Sequence, residues 1–225
     1  MTRQFRDRVD AGVRLAEGLA AYRGRDVLVL GIPRGGVPVA AEVARRLGGN
    51  LDVVVARKLG APGQRELAIG AVTANGGRFL NEELIGELRV PAAYLEQVTA
   101  EERAEARRRQ ERFRGDRPPA RVTGRIVIVV DDGLATGATM RAAVRSVRRE
   151  RPATLVVAVP VGAREACDAL REEADVVVCL SQPEPFVAVG LHYERFEPTE
   201  DAEVQRILRE WRESPHPGTP RAAAG

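Results

Sequence analysis

The apolar positions of this chain change period from block to block, and each change predicts an element. Residues 3–22 place Phe5, Val9, Val13, Ala16, Leu19 and Ala20 on one face at helical spacing, and Tyr22-Arg23-Gly24 ends the run. Asp26 to Leu30 is a short apolar strand, followed by a glycine-rich stretch and a second helical pattern that reaches Leu47 and stops at Gly48-Gly49. Leu51 to Ala56 reads as a buried strand ending in Arg57-Lys58. Leu67 to Thr73 and Arg78 to Leu80, separated by Asn75-Gly76-Gly77, read as a hairpin. Asn81 is placed to cap a short helix through Leu88, and Pro91 to begin a longer one rich in Glu and Arg. Ile126 to Val130 are all β-branched, the mark of a strand buried on both faces. A helix from about Thr139 to Arg149, a strand Thr154 to Val159, a helix Arg164 to Glu173, a strand Asp175 to Leu180 and a last helix Asp201 to Trp211 complete the series. Strands alternating with helices predict an α/β fold, a three-layer, Rossmann-like parallel sheet flanked by helices.

Two strand ends carry chemistry. After Val130 come Asp131 and Asp132, then Gly133-Leu134-Ala135-Thr136-Gly137-Ala138-Thr139, then a helix. A strand, loop and helix N-terminus expose unpaired backbone N–H groups and the positive end of a helix dipole, which together hold a phosphate. Gly137 permits close approach, Thr136 and Thr139 offer hydroxyls, and the carboxylates of Asp131 and Asp132 suit vicinal sugar hydroxyls. A phosphate at one end and a diol at the other describe a ribose 5-phosphate. The second strand end, Gly31-Ile32-Pro33-Arg34-Gly35-Gly36-Val37-Pro38, has the same capacity to bind an anion. Its glycine spacing is not the dinucleotide fingerprint. Each turn also has a plain reading, as a helix cap and as a tight βα connection.

The stretch from Val127 to Thr139 resembles the 5-phosphoribosyl-1-pyrophosphate (PRPP) motif of the type I phosphoribosyltransferases, and GIPRGGVPVA resembles their pyrophosphate loop. The likeness covers about residues 25–80 and 120–195. It implies the type I phosphoribosyltransferase fold over residues 1–212, with a helical insertion at about 81–118, a small C-terminal hood at about 181–196, and a disordered tail over 213–225. It implies PRPP contacts from Arg34, Gly35, Gly36, Arg57, Lys58 and residues 131–139, including Gly133, Leu134, Ala135 and Ala138, with a non-proline cis peptide at Arg34–Gly35. Asp131, Asp132 and Lys58 become the catalytic candidates. Magnesium travels with PRPP, held by Asp131 and Asp132 directly or through water. A loop in the region of Gln64, Arg65 and Glu66 is expected to close over the reacting centre. In SQPEPFVAVGLHY, residues 181–193, Phe186 is the expected stacking partner of a base and Val187 its backbone partner; core packing of Phe186 is the alternative.

Two departures limit the acceptor. The position where 6-oxopurine enzymes carry a further aspartate is Ala135, and Val177 to Ser181 holds no lysine to read a purine oxygen. His192 receives no role, and neither Cys167 nor Cys179 has a visible activating partner in the sequence.

Composition adds boundaries. Across 225 residues, 44% are hydrophobic, enough for a core. The polar start and the lack of a long apolar run point to a cytoplasmic protein without membrane contact. Two cysteines make no disulfide framework. A net charge of +3 fits anionic ligands, but the charges are mixed and only 4% of residues are aromatic, which argues against nucleic acid. Lys58 is the single lysine among many arginines. The resemblance implies PRPP, a small nitrogenous acceptor and further copies of the chain as partners. The competing reading is a non-catalytic PRPP or nucleotide sensor, whose arginine-rich segment 107–114 contacts nucleic acid; a solvated helix face or a subunit contact explains the same residues.

Overall fold

The structure, a computed structural model, describes residues 4–213. Five strands form a parallel sheet: β1 (Val27–Gly31), β2 (Asn50–Val53), β6 (Ile126–Val130), β7 (Thr154–Val161) and β8 (Val176–Ser181), in the order β2-β1-β6-β7-β8. Both faces are covered, so alternate side chains of one strand enter different cores. Val29, Ile128 and Val156 pack toward α1 (Arg8–Gly18) and α2 (Gly36–Leu47). Leu28, Val127, Val129 and Val157 pack toward α5 (Ala138–Arg149) and α6 (Arg164–Arg171). That double burial is why β1, β6 and β7 carry near-continuous Val, Ile and Leu.

A second sheet is antiparallel: β3 (Ala56–Ala61), β4 (Gln64–Thr73) and β5 (Arg78–Leu80). It corrects the expected strand from Leu51 to Ala56. β2 ends at Val53, and Arg57 and Lys58 belong to β3, not to the end of a parallel strand. Val54 and Val55 carry the chain between sheets: the Val54 amide donates to the Gly31 carbonyl at 3.1 Å, and the Ala74 amide to the Val55 carbonyl at 3.3 Å. Both sides of the break are apolar, so hydrophobicity does not mark it. β3 and β4 turn at Pro62-Gly63, with Gly63 at φ 71°, which puts Gln64, Arg65 and Glu66 beside an exposed tip.

The insertion comprises α3 (Glu82–Glu87), capped by Asn81, and α4 (Ala92–Arg114). It is not a projecting arm. Tyr94, Leu95 and Val98 pack over Leu59, Ile69 and Val72 of the small sheet, while Ala106 and Phe113 enter the main core. Five of its arginines are tied down: Arg109 and Arg112 to Asp201 at the start of α7 (Asp201–Glu213), Arg114 to Asp52 at 2.9 Å, Arg107 to the Ala74 carbonyl, and Arg108 to Glu105.

The first helix begins at Arg8, not at residue 3. The Asp7 side chain caps it by accepting from the Asp10 amide at 2.9 Å, while Phe5 lies in an extended bridge to Tyr193. Glu213, the first residue of the expected tail, instead closes α7, and residues 214–225 lie outside the described residues. Among those described, no helix is long and apolar enough to cross a membrane.

Candidate functional site

β1 and β6 are parallel neighbours in register, with Gly31 opposite Val130, so the turns at their carboxyl ends emerge side by side. They touch. A Cβ on Gly35 would stand 1.9 Å from Asp132 Oδ2, and one on Gly36 would stand 2.7 Å from the Val130 carbonyl oxygen. Only glycine lets the two turns meet, which explains Gly35-Gly36 through close approach. The cis peptide lies between Pro33 and Arg34, one residue before the expected Arg34–Gly35 bond. The glycine pattern marks the loop but does not fix the register of that bond.

The acidic pair is held unequally. The Asp132 amide donates to Asp131 Oδ1 at 2.9 Å. Burial, and the Asp132 carboxylate beside it, raise the Asp131 carboxyl well above the ordinary carboxylate range. Asp132 Oδ2 accepts from Arg8 Nε at 2.8 Å. Arg8 is fixed in turn by its Nη1 donating to the Glu197 carbonyl at 2.7 Å and by the Phe196 ring, 4.0 Å below its guanidinium. The Tyr193 hydroxyl donates to the Asp132 carbonyl at 2.5 Å, and burial, with Asp132 and Asp131 adding to it, raises the phenol above its ordinary value.

Beyond the pair, the turn is pinned once and open elsewhere. Leu134 is buried, its amide donating to the Val161 carbonyl at 2.9 Å and its carbonyl accepting from the Ala163 amide at 2.8 Å. Ala135 and Thr136 are exposed. Gly137 takes φ 77°, a left-handed conformation that favours glycine, and α5 follows at once. No side chain caps α5 and its first turn holds no acidic residue, which keeps the positive end of its dipole uncompensated by the protein.

Arg57, Lys58 and Thr139 line one open cavity of about 570 Å³, together with Arg65, Glu66 and Tyr94. The small sheet thus brings the single lysine to the cavity that Thr139 lines. Arg57 is engaged there, its Nε donating to Glu102 at 2.7 Å, while Lys58 is exposed. Arg34 reaches away from the glycine turn, to Glu200 at 3.6 Å and Asp201 at 3.9 Å. In the hood, Phe186 is half-buried and stacked on His192 with ring centroids 5.9 Å apart, against the cluster of Phe5 and Tyr193. Val187 is 65% exposed. Val189 closes on the acidic turn, since a Cβ on Gly133 would lie 2.4 Å from its Cγ1. His192 is buried, and desolvation of the charged ring lowers its pKa from the ordinary value.

Sequence reasoning missed Arg8 and Tyr193. Arg8 sits 124 residues from Asp132, and no local pattern in the sequence distinguishes it from a solvated arginine. It also missed that Cys167 and Cys179 are each other's partner.

Comparison with known proteins follows the same lines. A family model described as Phosphoribosyl transferase domain matches residues 6–194. A Mycobacterium tuberculosis protein (strain H37Rv) named "Putative phosphoribosyl transferase Rv0571c" is 47% identical over 204 residues, 91% of this chain and 46% of that protein. The chain therefore spans about half the length of the curated relatives it matches. The crystal structure of TT1426 from Thermus thermophilus is 50% identical with a TM-score of 0.78, covering 92% of this chain and 99% of that one.

Proposed function

The chain belongs to the phosphoribosyl transferase domain family, and from that premise we infer that it moves ribose 5-phosphate from PRPP to a nitrogenous base and releases pyrophosphate. The observation that carries this reading is the meeting of two strand-end turns, one bearing Asp131 and Asp132 before an uncapped helix, the other a glycine pair against those carboxylates.

The 5-phosphate lies on the backbone amides of residues 136–139 at the start of α5, where the dipole favours an anion. Asp131 and Asp132 accept from the ribose hydroxyls, Arg8 holding Asp132 in place. Pyrophosphate lies on the turn of Arg34, Gly35 and Gly36, with Lys58 and Arg57 supplying positive charge from β3. Two adjacent carboxylates are hard oxygen donors and fit magnesium, which keeps waters and takes ligand oxygens; among the described residues no cluster of three candidate ligands would hold a metal alone. When bound, magnesium supplies charge that stabilises departing pyrophosphate. The C1–O bond breaks through an oxocarbenium-like state, and a nitrogen nucleophile beside Phe186 and Val187 attacks the opposite face. The residues orient and neutralise, and no covalent intermediate with the protein is required.

The sensor reading needs arginines free for nucleic acid. Arg107, Arg108, Arg109, Arg112 and Arg114 each bond within the chain, which supports the enzyme reading instead. A homo-oligomer in the cytoplasm belongs to the same proposal, and sedimentation velocity tests its assembly. Activity is tested by magnesium-dependent pyrophosphate release from PRPP across a panel of nucleobases. Release with one class of base supports the transferase. Retention of RNA or DNA with no release supports the sensor.

A further inference from the structure

Outside the ribosyl-transfer site, the most specific juxtaposition in the fold is at Gly162, the residue between β7 and Ala163. A Cβ there would lie 2.9 Å from Cys167 Sγ, 3.3 Å from Cys179 Sγ and 3.1 Å from Leu134 Cβ. One missing side chain thus makes a common space for the chain's two thiols and for the pinned residue of the 131–137 turn. Cys167 is on α6 and fully buried; Cys179 is on β8, the edge strand, and half-buried. The Gln182 side-chain amide is buried beside them. The Cys179 thiol, followed by Gln182, favours a Cys167 thiolate, whose pKa drops to about 7 in spite of its burial. The Ser181 carbonyl, 3.1 Å from Cys179 Sγ, is the alternative acceptor of that single proton.

We propose that Cys167 and Cys179 are a redox modification site, forming a reversible disulfide beneath the 131–137 turn when a peroxide reaches them. The Cys167 thiolate attacks one oxygen of hydrogen peroxide, the O–O bond breaks, and the departing hydroxide takes the proton that Cys167 gave up to leave water and a sulfenic acid. The Cys179 sulfur then attacks the Cys167 sulfur. The S–S bond forms, the S–O bond breaks, and the hydroxide leaves with the proton of Cys179 as a second water. Two thiols lose two electrons and one peroxide gains them. Dithiol exchange with a small reductant returns both thiols.

Bond formation brings the sulfurs to about 2.05 Å, which displaces the β7–α6 connection. Leu134 is tied to that connection on both sides, by Val161 and by Ala163. The turn moves with it. Any consequence for PRPP rests on the ribosyl-transfer reading; the disulfide and the motion of the turn do not.

The test uses the full chain without PRPP, treated with hydrogen peroxide or with dithiothreitol. Intact mass should fall by about 2 Da with both thiols lost, and recover on reduction. Amide hydrogen exchange in the peptide holding residues 131–139 should change several-fold between the two states. Cys167→Ser and Cys179→Ser should each abolish the mass loss and the exchange difference. Oxygen addition at Cys179 with Cys167 still free, a disulfide between two chains, or a disulfide that leaves exchange in the turn unchanged would each overturn the proposal. Because no substrate enters, failure here leaves the ribosyl-transfer reading standing, and success does not establish it.

Discussion

At the scale of single residues, the proposed site turns on a carboxylate that an arginine holds in place. Asp132 gives one oxygen to Arg8, with side-chain exposures of 13% for the arginine and 16% for the aspartate, so both partners are largely out of water. Asp132→Asn keeps the shape and removes the charge. Charged hydrogen bonds contribute roughly 1.5–3 kcal/mol, so PRPP affinity or turnover should fall by at least an order of magnitude, as read by steady-state kinetics. Arg8→Ala leaves the carboxylate without its cation, and chemical denaturation should register a loss of about 1–3 kcal/mol. His192 gives a pH signature. Its folded ring resists protonation below the ordinary 6.5, whereas the unfolded ring accepts the proton. The hood contact is therefore fully stable above about 6.5 and weakens as pH falls from there toward the lowered folded value. Melting temperature should decline over that acid window, and His192→Gln should flatten the decline.

At the scale of elements, the strand, turn and helix from Ile126 onward were legible because three local signals coincide: a β-branched run, an acidic pair and a glycine before a helical period. The helix after the glycine turn and the cap at Asn81 were legible for similar reasons. The passage from β2 to β3 was not, because Leu51 to Ala56 is apolar throughout and the sheet change happens inside it. That error misplaced Lys58 at a parallel strand's end, when the small antiparallel sheet carries it to the cavity lined by Thr139. The contact of Arg8 with Asp132 and the meeting of Cys167 with Cys179 depend on tertiary placement and leave no periodic trace. The helix α5, which follows the 131–137 turn, is anchored at its far side through Glu173, which accepts from Arg141 Nε at 2.6 Å and Arg145 Nε at 2.8 Å. Burial pushes the Glu173 carboxyl up, but the hydrogen bonds from Arg145 and Arg141 outweigh it and hold the pKa below the ordinary 4.5. This contribution is complete above 4.5 and is lost as pH falls through the lowered value. Glu173→Gln should cost about 1–3 kcal/mol near neutrality and lessen the acid sensitivity of unfolding.

At the scale of the whole molecule, a parallel sheet supplies the two turns and an antiparallel sheet supplies the lysine. The 23-residue helix α4 joins them, packing on the small sheet through Tyr94 and on the main core through Phe113. Phe113→Ala removes a buried ring at that seam, and denaturant unfolding should show a loss of about 3–5 kcal/mol. Central to the proposed function is a seat for a ribose 5-phosphate, formed by the turn from Asp131 to Thr139 and the start of α5. Calorimetric titration of PRPP into the chain with magnesium present tests it most directly. The predicted result is saturable heat with one site per chain, displaced by ribose 5-phosphate and much reduced in Asp132→Asn. Absence of binding heat in the wild-type chain, or binding indifferent to ribose 5-phosphate, would contradict it.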